Sequence, residues 1–153
     1  MSKATSCGIL LYREPFEVFL VKPGGPYNKK APFSIPKGHL EEFDKSNVDA
    51  AIREFLEETG ANIIIDKDKL IDLGKVLQNK NKTVFIYAYK YDLGNNFIVN
   101  SNLIKVEFPH KSGKFIIVPE IDAGRYFSYE EAKEKMLPSQ IEFIERLKNE
   151  QTI

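Results

Sequence analysis

The sequence predicts an α/β/α sandwich, and three observations carry that expectation. Along Thr83–Tyr91, Val84, Ile86, Ala88 and Lys90 alternate with Phe85, Tyr87, Tyr89 and Tyr91, so both faces of a strand are apolar or aromatic and both need cover. Between Val48 and Thr59 the residues Val48, Ile52, Phe55, Leu56 and Thr59 share one helical face, opposite a set of carboxylates. Ser128-Tyr129-Glu130-Glu131 opens a later helix with a capping-box pattern. Strands flanked by helices that come before and after them build a layered α/β domain.

The elements follow in order. Cys7–Tyr12 and Phe16–Val21 read as two strands, and Arg13-Glu14-Pro15 between them is short enough for a hairpin. Lys22–Ala31, with Pro23, Gly24, Gly25, Pro26 and Asn28, reads as a loop in which the glycine pair makes a turn. Phe33–Ile35 is a short extended piece ending at Pro36, and a second loop runs over Lys37–Asn47. The helix over Val48–Thr59 starts at a cap from Ser46 or Asn47 and stops at Gly60. Leu70–Leu77 and Thr83–Tyr91 are strands joined by the turn-like Asn79–Lys82, and Lys114–Val118 and Arg125–Phe127 are short strands. Pro138 separates the helix that begins at Ser128 from one that runs to about Asn149.

Composition narrows the class. The length of 153 residues is that of one domain, and 42% hydrophobic residues suffice for a core without disulfides. A formal net charge of zero argues against a general nucleic-acid or membrane-surface binder. The single cysteine, Cys7, rules out an internal disulfide, fits a reducing compartment and reads as buried filler in an apolar run. Met1–Ser6 leads into too short an apolar stretch for a secretory signal, and no run reaches the ~20 apolar residues of a membrane span, so the expected location is the cytoplasm.

Chemistry concentrates between residues 38 and 60. Glu54, Glu57 and Glu58 stand at i, i+3 and i+4, one face of a helix. Like charges at that spacing repel by roughly 0.2–0.5 kcal/mol per pair. Mg²⁺ and Mn²⁺ prefer oxygen donors, so a hard divalent cation gives such a cluster a purpose. The alternative is a solvated acidic face.

Gly38-His39-Leu40-Glu41-Glu42 followed by Arg53-Glu54-Phe55-Leu56-Glu57-Glu58-Thr59-Gly60 resembles the Nudix box, Gly-x5-Glu-x7-Arg-Glu-U-x-Glu-Glu-x-Gly-U with U a bulky apolar residue. Arg53, Glu54, Phe55, Glu57, Glu58 and Gly60 fit the second half, with Ala61 at the last U. In the first half Gly38 lies one residue too far from Arg53, Asp44 stands where the box has Glu, and Phe43 stands where many members have Gly. The loop is therefore expected to hold one extra residue ahead of an unaltered helix. Phe19–Pro26, Phe33–Gly38 and Val118–Asp122 are similar to one bacterial subgroup of Nudix hydrolases, so the resemblance spans nearly the whole chain, 1–153, as a single Nudix hydrolase domain.

That resemblance implies a Nudix-type α/β/α sandwich with a mixed β-sheet and a Mg²⁺- or Mn²⁺-dependent pyrophosphohydrolase. Expected metal ligands are Glu54, Glu57, Glu58 and the carbonyl of Gly38; Arg53 is expected to orient a glutamate, Glu57 by its i+4 spacing. Glu120, six residues before Tyr126, matches a loop glutamate that binds metal or acts as base in many members, with Glu107 as competitor; Asp44 is a candidate supporting contact. Lys37 and Lys22 are candidate phosphate contacts, with Lys29 and Lys30 more ordinary solvated lysines. Without Trp, a base would stack on Tyr27, Phe33, Tyr87 or Tyr89. His39 and His110 read as structural. The expected substrate is a nucleoside triphosphate or a dinucleoside polyphosphate such as diadenosine tetraphosphate. The alternatives are ADP-ribose, or a catalytically weak nucleotide-binding module of the same fold. The expected partner is a small nucleotide, not nucleic acid or membrane, with the chain a monomer or homodimer.

Overall fold

A ten-residue strand, β1 (Ala4–Arg13), runs through the middle of the structure, a computed structural model that describes residues 4–151. Met1–Lys3, part of the stretch read as lacking a secretory signal, lie outside the described residues, as do Thr152 and Ile153. The chain continues through β2 (Glu17–Pro23), β3 (Lys37–His39), α1 (Asn47–Thr59), β4 (Ile71–Asn79), β5 (Lys82–Lys90), β6 (Leu103–Glu107), β7 (Phe115–Pro119), β8 (Ile121–Ser128), α2 (Tyr129–Lys135) and α3 (Ile141–Gln151). The main sheet has the order β4-β5-β1-β2-β8, and β3 also pairs with β1. β1 and β5 are parallel and the other pairings antiparallel, so the sheet is mixed as expected.

Side-chain alternation divides the core into two layers. Cys7, Ile9 and Leu11 of β1 meet Ala50, Ala51 and Phe55 of α1, together with Tyr87 and Tyr89 of β5. Leu10 and Tyr12, pointing the other way, meet Ala132 of α2 and Phe143, Ile144 and Leu147 of α3, with Val84, Ile86 and Ala88 of β5. β5 is covered on both faces, as its pattern requires. Cys7 is buried filler, and burial pushes its thiol up to about 11. Among the described residues no helix is long and apolar enough to cross a membrane.

The sequence reading placed Lys37–His39 in a loop and did not anticipate β6. Lys37-Gly38-His39 has no strand propensity of its own; it is extended because Ser6, Cys7 and Gly8 pair with it where β2 has diverged from β1. Among the described residues β6 pairs with β7 alone, as a two-stranded ribbon separate from the main sheet. β8 begins at Ile121 rather than Arg125, because pairing with β2 extends from Glu17↔Ser128 to Pro23↔Ile121.

The ends of α1 fix its position. Ser46 accepts a hydrogen bond from the Asp49 amide at 3.1 Å, which settles the expected start. Gly60 has φ +69° and its N–H returns to the Leu56 carbonyl. Two further carbonyls of the last turn, Thr59 and Glu57, accept from the amides of Asn100 (2.9 Å) and Asn102 (3.1 Å), so the strap before β6 is stitched to the helix end. A Cβ on Gly60 would lie 2.2 Å from the Asn100 carbonyl oxygen. Gly60→Ala therefore carries left-handed strain of about 1–2 kcal/mol and a backbone collision. Its thermal midpoint should fall by roughly 3–8 °C or more; a midpoint within about 1 °C of wild type in a circular-dichroism melt would contradict this account of the helix end.

Candidate active site

The three glutamates of α1 are not equally exposed. The side chain of Glu57 is 46% exposed, that of Glu54 is 13% exposed, and Glu58 as a residue is 5% exposed. This is not a solvated acidic face. Nor does Glu58 lie on the exposed side opposite the apolar stripe; it joins Ala50, Ala51, Phe55 and Thr59 among the buried residues of the helix. The reason is β3, which runs against α1 and brings its backbone onto the carboxylates. The Lys37 amide donates to Glu58 Oε1 at 3.3 Å. A Cβ on Gly38 would meet Glu54 Oε2 at 1.9 Å, so only glycine lets that carboxylate lie against the strand.

Glu120 sits where β7 ends and β8 begins. Its N–H donates to the Asn102 carbonyl (2.9 Å) and its carbonyl accepts from the Gly24 amide (2.8 Å). Ser101 Oγ accepts from the Ile121 amide at 3.0 Å. Because Asn102 is itself bonded to the Glu57 carbonyl, one short strap ties α1 to Glu120. The consequence is electrostatic. Burial, then the charges of Glu120 and Glu54, push the Glu58 carboxyl up to about 8. Burial also raises Glu54, whose partner Arg53 pulls it back and whose neighbours Glu57 and Glu120 push it further. Glu107 stands at the other end of the ribbon, where its carboxylate accepts from the amides of Lys111 and Gly113. Its carboxylate is thus engaged in the turn, away from the helix.

Arg53 is the organising cation. Its Nε and Nη2 hold Asp44 at 3.0 and 2.8 Å in a bidentate pair, its Nη1 reaches Glu54 at 2.7 Å, and its Nη2 donates to the His39 carbonyl at 3.1 Å. The contact to Glu57 is longer, 3.4 Å. The expected i+4 partner is therefore the weaker one, and Glu54 and Asp44 are the main ones. Asp44 also accepts from the Glu41 amide at 2.8 Å, closing the longer loop, and its side chain is 4% exposed. The Arg53 hydrogen bond holds the Asp44 carboxyl below the usual carboxylate range. The sequence left the placement of Asp44 open; the signal that could have found it is that a loop one residue longer still needs an acid to meet Arg53.

The substrate candidates scatter. Burial, with Lys82 nearby, brings the Lys37 amine down to about 8, while Glu58 acts in the opposite sense. Lys22 donates to the Lys29 carbonyl at 2.6 Å and is engaged in its own loop. Tyr27 is exposed, bonds the Glu107 carbonyl and lies beside Phe108 and His110. Phe33 packs edge-on to Phe127 on the opposite side of the sheet from α1. Tyr87 and Tyr89 are core residues beneath α1, which corrects the reading of their rings as stacking platforms: alternation in a doubly covered strand turns them inward.

Among the described residues no three or more His, Cys, Asp or Glu side chains are grouped so as to hold a metal ion. The donor chemistry nevertheless fits a hard cation: the Glu54 and Glu58 carboxylates lie against β3, and both feel the charge of Glu120. Glu58→Gln keeps the size and the acceptor for the Lys37 amide while removing a buried charge. A carboxyl whose folded pKa is raised to about 8 weakens the fold as pH rises above its unfolded value. In chelator-treated protein the variant should therefore melt higher than wild type at pH 9, by about 2–4 °C for each kcal/mol relieved, with a smaller difference at pH 5. A variant that melts lower at pH 9 would show that Glu58 serves stability instead.

The family model of the NUDIX domain matches residues 2–147. An uncharacterized 17.7 kDa protein from the e-segB intergenic region of Enterobacteria phage T4 is 32% identical over 124 residues, 79% of this chain and 80% of that one. Among solved structures, the NUDIX domain of Shewanella oneidensis NrtR, complexed with ADP ribose, superposes with a TM-score of 0.67 at 13% identity, covering 99% of this chain and 90% of that one. A C. elegans Ap4A hydrolase in a binary complex gives 0.60 at 15% identity, covering 95% and 97%. The fold is the Nudix α/β sandwich with its mixed sheet, and the family supports the expectation of a pyrophosphohydrolase. On the match across residues 2–147, the chain belongs to the NUDIX domain family.

Proposed function

We propose that the protein is a divalent-metal-dependent pyrophosphohydrolase that cleaves a phosphoanhydride bond of a nucleoside diphosphate-linked compound, with a nucleoside triphosphate or a dinucleoside polyphosphate as substrate. The observation that carries this reading is Glu58, a buried carboxylate against β3 whose carboxyl is raised by burial and by the charges of Glu120 and Glu54. Such an arrangement costs stability unless a cation joins it.

Glu54, Glu57, Glu58 and the Gly38 backbone would hold Mg²⁺ or Mn²⁺, and substrate phosphates would complete the ligand set that the protein alone leaves open. When bound, the cation offsets phosphate charge and lowers the pKa of water. Arg53, itself fixed by Asp44, orients Glu54. Glu120 takes the proton of the attacking water, its backbone held at both its N–H and its carbonyl. Lys37, beside Glu58, faces the phosphates, and the exposed Tyr27 is the candidate contact for a base. The longer loop does not argue for a weak binding module, since Asp44 still reaches Arg53. An ADP-ribose substrate is the second reading, supported by the likeness to a NUDIX domain that binds ADP ribose. A cytoplasmic place of action fits the lone, buried Cys7.

The test is product analysis for diadenosine tetraphosphate, nucleoside triphosphates and ADP-ribose, each with Mg²⁺ or with chelator. Metal-dependent cleavage of one of them is expected, and cleavage in chelator would defeat the metal reading. Glu120→Gln should lower kcat by about 10²–10⁴-fold with the fold unchanged, and Glu57→Gln should act in the same direction. Near-wild-type turnover in both variants would remove these residues from the chemistry.

A further inference from the structure

The β6–β7 ribbon carries an outer face whose apolar side chains nothing among the described residues covers. Leu103 is 64% exposed, Ile117 62% and Phe115 53%. Leu103, Ile117 and Phe115 lie on the same face, since the register pairs Leu103 with Pro119, Lys105 with Ile117 and Glu107 with Phe115. An isolated two-stranded ribbon is marginal in water, and exposed apolar patches of this kind mark interaction sites.

We infer that this ribbon is the interface of a homodimer, in which β7 pairs antiparallel with its own copy about a two-fold axis at Ile117. The charges choose the edge. β6 carries Lys105 at its centre, so a two-fold pairing there would set Lys105 against itself. Phe115–Pro119 has no charged residue, is centred on Ile117, and carries only Pro119, at its end, among the devices that protect free edges. Pairing about that residue sets Ile117 against the partner's Ile117 and Phe115 against the partner's Pro119, so no like charges meet. The outer face then runs across four strands, with Leu103, Phe115 and Ile117 of each copy joined and Lys105 lying over Phe115.

Leu103, Ile117 and Phe115 present roughly 270–360 Å² of side chain on each copy, taking about 150–200 Å² for a whole large side chain. A stable interface buries about 800 Å² per partner, so the β7 edge and the residues flanking the ribbon, Lys105 and Lys114 among them, must add the rest of the buried surface. The sequence reading, by contrast, found no partner-binding stripe; the stripe exists only once β6 and β7 pair and turn the same face outward.

The test measures mass and proximity, not turnover, and so stands apart from the hydrolase reading. Light scattering on the full chain at ~10–100 µM should give twice the 17.5 kDa chain mass. Ile117→Lys, an exposed position, should give the single-chain mass with an unchanged circular-dichroism spectrum. Ile117→Cys should form a disulfide-linked dimer under mild oxidation, since paired strand residues lie about 4.5–5.5 Å apart. Wild type should not, because Cys7 is buried. A monomeric wild type, an Ile117→Lys protein that remains dimeric, or an Ile117→Cys protein that does not cross-link would each overturn the inference.

Discussion

The hydrogen bonds between the last turn of α1 and the strap at Asn100–Asn102 hold the site together. A helix end leaves carbonyls without partners. Here Glu57 and Thr59 give theirs to the strap, and the strap passes the connection to Glu120 through the Asn102 carbonyl. The same few residues thus end the helix, start the ribbon and place a carboxylate from the other end of the chain opposite Glu58. The distance between Glu120 and α1 is consequently set by backbone bonds rather than by long side chains.

Against that frame works a repulsion the protein retains. Burial raises the carboxyls of Glu54 and Glu58, and nearby charges push them further: Glu57 and Glu120 at Glu54, Glu120 and Glu54 at Glu58. Arg53 relieves only part of it. Its guanidinium is shared among Asp44, Glu54, the His39 carbonyl and, at longer range, Glu57, so Glu58 is left without an arginine. A site that holds carboxylates in this state is organised for a cation and a phosphate chain rather than for stability.

The ribbon links site and surface. β7 runs directly through Pro119 into Glu120, so whatever steadies the ribbon steadies the carboxylate behind it. Tyr27 fastens the Pro26–Asn28 turn to the same ribbon through the Glu107 carbonyl, and the Gly24 amide holds the Glu120 carbonyl. The loop after β2, the ribbon and the start of β8 are therefore one connected unit.

The sequence by itself determined the layers and the ligand-bearing helix. A strand apolar on both faces demands cover on both faces, and a Ser46 cap, a Gly60 stop and glutamates at i, i+3 and i+4 are local facts of a helix. Only the tertiary structure decided which carboxylates are buried, because that depends on β3, a strand with no propensity of its own that forms by pairing with β1. It likewise decided that Arg53 favours Asp44 and Glu54 over Glu57, since helical spacing brings a pair within reach but cannot show a loop acid arriving from outside. Tyr87 and Tyr89 belong to the core for a similar reason: the sequence shows that both faces of β5 are aromatic or apolar, and only packing against α1 shows that neither ring is open. The ribbon's exposed face was the least legible feature, because β6 and β7 become a surface only when they meet.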